Sequence, residues 1–249
     1  MKYNNKNTHY KNIPKIVWQT YKTKNLPFEA KLAQQTWIDL NPDWKIILYD
    51  DDDIEQYIIN YWDERMYKFY KKLPVGVMKA DLWRYLILTT HGGVYADVDS
   101  ECKIPINKWI EDLNIKNREN ILVIGLENNT HFCQWSMLSS TNHPAMKFIC
   151  NYILLNYENN GIDIKNEHFV HATTGPGIWT DAIKEYIGYN DNPYVILDLY
   201  NNGYINNDII ILSAEYFNNY YVRNLYGSLT FGNNYVKWTD QVKKLQKQK

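Results

Sequence analysis

Asp97 and Asp99 stand two residues apart, just after a short apolar run, Val94-Tyr95-Ala96, that itself follows a Gly92-Gly93 break. In an extended segment the side chains of i and i+2 leave the same face, so the spacing predicts two carboxylates converging on one cation. Oxygen-only ligation suits a hard ion, Mg²⁺ or Mn²⁺, which keeps positions for substrate phosphate oxygens. Ligands in α/β proteins collect beyond the carboxyl ends of strands, where a strand over 94–96 would deliver the pair. Taken alone the motif is short, and two acids in a solvated turn are spelled the same way.

The preceding segment adds a second pair of charges. Residues 76–90 include Met78, Leu82, Trp83, Tyr85, Leu86, Ile87 and Leu88, so a helix here is apolar nearly all round and predicted to be buried. Asp81 and Arg84 lie three apart on one of its faces. Buried charges must be paired or bound to something polar. One arrangement is an internal ion pair that holds the helix in place. The other projects both side chains into the cavity of Asp97 and Asp99, where they hold a polyhydroxylated ligand.

Ala80-Asp81-Leu82-Trp83-Arg84-Tyr85, followed by Gly92-Gly93-Val94-Tyr95-Ala96-Asp97-Val98-Asp99, resembles the signature of the DXD sugar transferases of glycosyltransferase family 32. That family includes fungal Golgi mannosyltransferases, and bacterial toxin glucosyltransferases carry a related core. Ile13-Pro14-Lys15-Ile16-Val17-Trp18-Gln19-Thr20, Asn41-Pro42-Asp43-Trp44 with Asp50-Asp51, and Thr174-Gly175-Pro176 also fit, in the family's order. The resemblance implies a GT-A fold, a Rossmann-like mixed α/β sheet flanked by helices. It implies metal-dependent, retaining transfer of a hexose from a nucleotide-sugar donor, a UDP-sugar in preference to GDP-mannose, to a glycan, protein or lipid acceptor hydroxyl. Asp99 would hold Mn²⁺ or Mg²⁺, Asp97 ribose or metal-bound water, and Asp81 with Arg84 the sugar hydroxyls. Trp18 would stack on the base unless it is a core residue, with Gln19, Thr20, Tyr95 and Gly175 as further donor contacts.

Toward the C-terminus the likeness loosens. Family members commonly close the site with His-His-Trp-x-Gly-Ser-Trp, and the best match is Arg223-Asn224-Leu225-Tyr226-Gly227-Ser228-Leu229. Gly-Ser remains, with Ser228 a donor contact. Asn224 can offer a carbonyl oxygen as a third metal ligand, and Arg223 can neutralise diphosphate charge. The altered block leaves a degenerate nucleotide-sugar-binding protein as an alternative. A phosphatase of the haloacid dehalogenase type would use Asp97 as nucleophile, yet needs a later lysine and a second acidic cluster of which there is no convincing copy. A sugar- or Ca²⁺-binding module would leave Asp81 and Arg84 unexplained.

With 249 residues the chain reads as one domain over 13–249 behind a flexible polar tail, 1–12. A net charge of -1 offers no broad nucleic-acid surface. Mean hydropathy of -0.53 and the polar stretch Met1 to Asn12 predict no integral membrane segment, unlike the anchored Golgi relatives. Three cysteines without metal-ligand spacing fit a reducing, cytoplasmic setting. None of the six histidines has zinc-like spacing, but His168 and His171 precede the Thr-Gly-Pro turn as candidate cleft residues.

The elements that must position these groups alternate between strand and helix. Strands are predicted at 13–19, 44–49, 94–96, 121–126, 132–138, 194–199 and 209–212. Helices are predicted at 28–38, 50–59, 76–90, 144–156 and from the 174–177 turn to 186. The acids Asp50 to Asp53 either cap their helix or touch substrate. The basic amphipathic end from Trp238 to Lys249 is predicted to cap the fold.

Overall fold

The computed structural model describes residues 12–189, 199, 203–206, 208–227 and 238–247. The tail 1–11, most of the strand expected at 194–199, and Ser228 lie outside the described residues.

Strand β1 (Ile16–Thr20) leads into helix α1 (Phe28–Leu40) and strand β2 (Lys45–Tyr49), and β1 and β2 pair in parallel. Helices α2 (Asp51–Tyr61), α3 (Glu64–Lys72) and α4 (Gly76–His91) follow, then strands β3 (Gly93–Ala96) and β4 (Ser100–Cys102) and helix α5 (Ile106–Asp112). The second half holds β5 (Leu122–Gly125), β6 (Ser136–Ser139), α6 (Pro144–Asn160), α7 (Phe169–Thr173), α8 (Pro176–Tyr186), β7 (Tyr204–Ile205), β8 (Ile209–Leu212), a π-helical turn (Tyr216–Tyr220), β9 (Val222–Asn224) and α9 (Trp238–Lys247). Seven strands form one mixed sheet in the order β2-β1-β3-β6-β5-β8-β7, while β4 and β9 make a separate antiparallel pair. The expected α/β class holds.

Side chains alternate across the sheet, as the two-residue period requires. Val17, Val94, Leu138, Val123 and Ile210 enter the layer that holds Trp37, Trp109 and Phe217. Their neighbours Trp18, Tyr95, Met137, Leu122 and Ile211 enter the opposite layer, beneath α2, α4, α6 and α8. Helix α4 is buried along most of its length, including Asp81 and Arg84.

Several local signals act as read. Asp50 accepts from the Asp53 N–H, and Asp53 accepts in return from the Asp50 N–H, a reciprocal cap that opens α2. α4 ends at Gly92 (φ 64°) and β3 begins at Gly93 (φ 96°). A Cβ on Gly93 would lie 2.6 Å from the Ile16 carbonyl oxygen, and one on Gly92 2.6 Å from the Thr141 N. Only glycine turns the chain this sharply from helix into a strand pressed against β1.

Several short elements went unread, among them α3, α5, α7, β7, the π-helical turn and the β4–β9 ribbon. α3 is largely polar, and only Met66, Phe69 and Tyr70 are buried. α5 and α7 are too short to display a helical period, and β4 and β9 exist only as each other's partners.

Candidate functional site

A cleft of about 630 Å³ opens at the carboxyl ends of β1 and β3. It is bordered by Thr20, Asp81, Arg84, Tyr95, Asp97, Asp99 and Asn224, among others.

Arg84 is the hub. Its Nη2 lies 3.2 Å from Asp81 Oδ1 and 3.3 Å from Asp97 Oδ1, and its Nη1 donates to the Gln134 carbonyl at 3.3 Å. The guanidinium stands 4.8 Å from the centre of the Tyr95 ring, a cation–π distance. Asp81 also accepts from Gln134 Nε2 at 3.2 Å and from Thr174 Oγ1 at 3.3 Å. Tyr85 in turn donates its hydroxyl to Gln134 Oε1, and Tyr95 donates to Asp97 Oδ1. The two arrangements considered for Asp81 and Arg84 therefore coexist: the ion pair is buried, and it also borders the cleft beside Asp97.

Asp97 and Asp99 do not occupy an extended strand. They sit in a tight turn beyond β3, where Ser100 donates both its N–H and its hydroxyl to the Asp97 carbonyl. The turn, not strand periodicity, brings both carboxylates to the cleft. Asp99 is held from far along the chain: Gly227 N–H donates to its Oδ2 at 2.8 Å, and Leu225 N–H to its carbonyl at 2.8 Å. The 223–229 block thus reaches the Asp-x-Asp turn, with Asn224 paired opposite Ser100. Asn224 Oδ1 accepts from Tyr226 N–H at 2.6 Å.

Four expected donor contacts are placed elsewhere. Trp18 is buried in the helical layer, its indole N–H donating to the Gly92 carbonyl at 2.7 Å and its ring beside Tyr49 and His91. The core reading of Trp18 is the one realised, because the cleft opens at the end of β1 and only Thr20 reaches it. Gln19 is fully buried and accepts from Gln34 Nε2. Gly175 is packed against α7, and Arg223 lies 3.8 Å from Glu101 with its side chain half exposed.

The structure also adds cleft residues that motif reading missed. Gln134 and Trp135, from the approach to β6, and Glu127, from the end of β5, border the cleft. So do Trp238 and Gln241 of α9, while Asp51, from the acidic run read as either cap or substrate contact, also borders it. Glu127 lies in a connection with no periodicity, and Gln134, expected within a strand over 132–138, lies before β6, which begins only at Ser136.

Burial pushes Asp81 up to about 7, with Arg84 opposing and Asp97 adding to the rise. Burial and then Asp97 push Asp99 up to about 6 against the pull of the Gly227 N–H. Burial and Asp97 likewise raise Glu127. Carboxyls of the unfolded chain titrate near 4. The ligand-free fold therefore holds extra protons between about pH 4 and 7, and its stability falls as pH rises through that window. A cation held by Asp99 would require its ionised form, so any thermal stabilisation by Mn²⁺ with nucleotide is expected to grow from pH 5.5 to 7.5. Melting curves of wild type and Asp99→Asn check this; a shift equal at all pH values would contradict it.

The donor set fits a hard divalent ion. Asp97, Asp99 and the Asn224 carbonyl offer oxygen atoms to one cleft, and the rise at Asp99, caused first by burial and then by Asp97, is one that a cation would relieve. Among the described residues no three His, Cys, Asp or Glu side chains form a metal group by themselves. A cation here would thus be completed by ligand oxygens.

A mixed sheet of this kind, with an Asp-x-Asp turn beyond a central strand and a buried Asp–Arg pair on the preceding helix, has the architecture of the GT-A fold. The backbone agrees with that of PaToxG glycosyltransferase at a TM-score of 0.55 and 17% identity, over 76% of this chain and 74% of that one. Residues 27–116 match the family described as glycosyltransferase sugar-binding region containing DXD motif. The chain is similar to the initiation-specific alpha-1,6-mannosyltransferase of Schizosaccharomyces pombe, 28% identical over 234 residues, 84% of this chain and 58% of the relative. The enzyme of the same name from Candida albicans is 33% identical over 214 residues, 71% of this chain and 54% of the relative. The chain spans little more than half the length of these curated relatives. Among the described residues no helix is long and apolar enough to cross a membrane.

Proposed function

We propose that this protein transfers a hexose from a nucleoside-diphosphate sugar to an acceptor hydroxyl, using a divalent cation held by Asp97, Asp99 and Asn224. The observation that carries the reading is the Arg84 bridge between Asp81 and Asp97, with Asp99 on the same cleft. Asp81 and Arg84 are assigned to the sugar hydroxyls, Thr20 to the nucleotide side, and Tyr95 to the orientation of Asp97. When bound, the cation supplies Lewis-acid neutralisation of the departing diphosphate.

The sugar is proposed to be mannose, because the two relatives are named as mannosyltransferases. The preference for a UDP-sugar rested on Trp18, whose place in the core removes that support; GDP-mannose becomes the favoured donor. As the bond to the diphosphate breaks, positive character develops at the anomeric carbon. We assign retention, with the acceptor hydroxyl attacking the same face and a donor phosphate oxygen taking its proton. The free, buried cysteines at 102, 133 and 150 accord with a reducing compartment such as the cytoplasm.

Thermal-shift binding of GDP, UDP, GDP-mannose and UDP-glucose, each with and without Mn²⁺, tests the donor assignment. A ligand that binds only the folded state raises its melting temperature. A Mn²⁺-dependent rise for the guanine series is the expected result, and a rise for the uracil series alone would reverse the base. No rise with any of them would remove the donor reading. Binding without transfer or donor hydrolysis would favour the degenerate alternative.

A further inference from the structure

Across α7 from the donor cleft lies a second cavity, of about 760 Å³, a size within the range of small-ligand sites. Its lining joins the half-buried ring of Tyr152 to the hydrogen-bonding groups of His131, Asn156, Asn166 and Asp181. Aromatic surface beside amides, imidazole and carboxylate suits a sugar ring, which presents apolar C–H faces and a rim of hydroxyls. No Lys or Arg is among the described residues that line it, and its carboxylates are Asp163 and Asp181. Coulomb repulsion therefore disfavours a phosphorylated or otherwise anionic occupant.

His171 borders both this cavity and the donor cleft. Its position follows from the Thr174-Gly175-Pro176-Gly177 turn. A Cβ on Gly175 would lie 2.9 Å from His171 Cα, and one on Gly177 2.9 Å from the His171 carbonyl oxygen. Two glycines thus let the start of α8 close directly on α7. His131 stands with its ring centre 6.2 Å from that of His171, and Trp238, which borders the donor cleft, at 6.3 Å. The turn therefore builds the partition between two cavities.

Transfer requires an acceptor hydroxyl held against the donor's anomeric carbon, so an acceptor site must adjoin the donor site. We propose that this second cavity is the acceptor subsite, that it takes a neutral glycan, and that His171 marks the junction where the attacking hydroxyl enters the donor cleft. The assignment rests on the donor reading above.

Saturation-transfer NMR on the full chain, with mannobiose, cellobiose, lactose, chitobiose and mannose 6-phosphate, tests it without needing turnover. At least one neutral disaccharide is expected to bind, and mannose 6-phosphate to bind more weakly. Asn156→Ala/Asp181→Ala, checked as folded by its melting curve, should weaken the disaccharide about tenfold or more, the size that one or two hydrogen bonds carry. Binding by none of the neutral sugars, equal or tighter binding of the phosphate, or full affinity in the double variant would each overturn the subsite. Nucleotide binding measured in parallel separates the failures: disaccharide binding without nucleotide binding sinks the donor reading, and the converse sinks the subsite alone.

Discussion

Replacing Asp97 and Asp99 together by Asn is expected to lower transfer by roughly three orders of magnitude or more, the scale on which preorganised charge stabilisation acts. The fold should survive. Asn keeps an acceptor oxygen for the Tyr95 hydroxyl and for the Gly227 N–H, and Asp97 is not deeply buried, its side chain 27% exposed. Removing the two charges also removes the burial cost and the Asp97 repulsion that raise Asp99. The ligand-free variant should therefore melt near the wild-type temperature at pH 7.5, the relief at Asp99 offsetting a weakened Arg84–Asp97 contact. Initial rates with GDP-mannose and Mn²⁺, alongside melting curves, give both numbers. A variant with more than about a tenth of wild-type turnover would contradict the assigned roles, and one that melts far lower would make these acids structural.

Arg84→Ala is expected to be the most damaging single change in stability, costing about 3–5 kcal/mol, because it strands a buried partner. Asp81 would keep Gln134 and Thr174 as donors but lose its counter-charge, and it would take up a proton over a wider pH range. Pairing the loss should repair the fold without the function. Asp81→Asn/Arg84→Met retains an amide for Gln134 and fills the guanidinium's space with an apolar chain. It should recover most of the stability while transfer stays low. Urea unfolding and single-turnover rates on the two variants separate these effects. If the double variant regained activity along with stability, the pair would be a helix fastener and not a sugar-binding device.

Residues that act with their chain neighbours were legible in the sequence. The run of apolar residues around Asp81 and Arg84 announced a buried helix carrying charge, and α4 is that helix. Gly92 and Gly93 announced its end, and Asp50 to Asp53 announced a cap, because turn and capping chemistry are settled within four residues. The Asp-x-Asp pair does reach the cleft, but a turn and not a strand aims it.

What only the tertiary structure decided lies in contacts between distant segments. The Gly227 N–H reaches Asp99 across 128 residues, and no local pattern specifies which loop arrives there. Trp18 illustrates the same limit. Its type and strand position suit a base-stacking platform and a core equally, and the choice fell to where β1 ends relative to the cleft. Glu127 and Gln134 entered the site because β6 pairs with β3 and β5 with β6 in the sheet. The sequence by itself determined the helix, the cap, the glycine break and the acidic pair, since local periodicity and backbone sterics act over a few residues. The chain's path through the sheet decided which remote groups complete the cleft, since a long-range contact depends on everything that folds between its two ends.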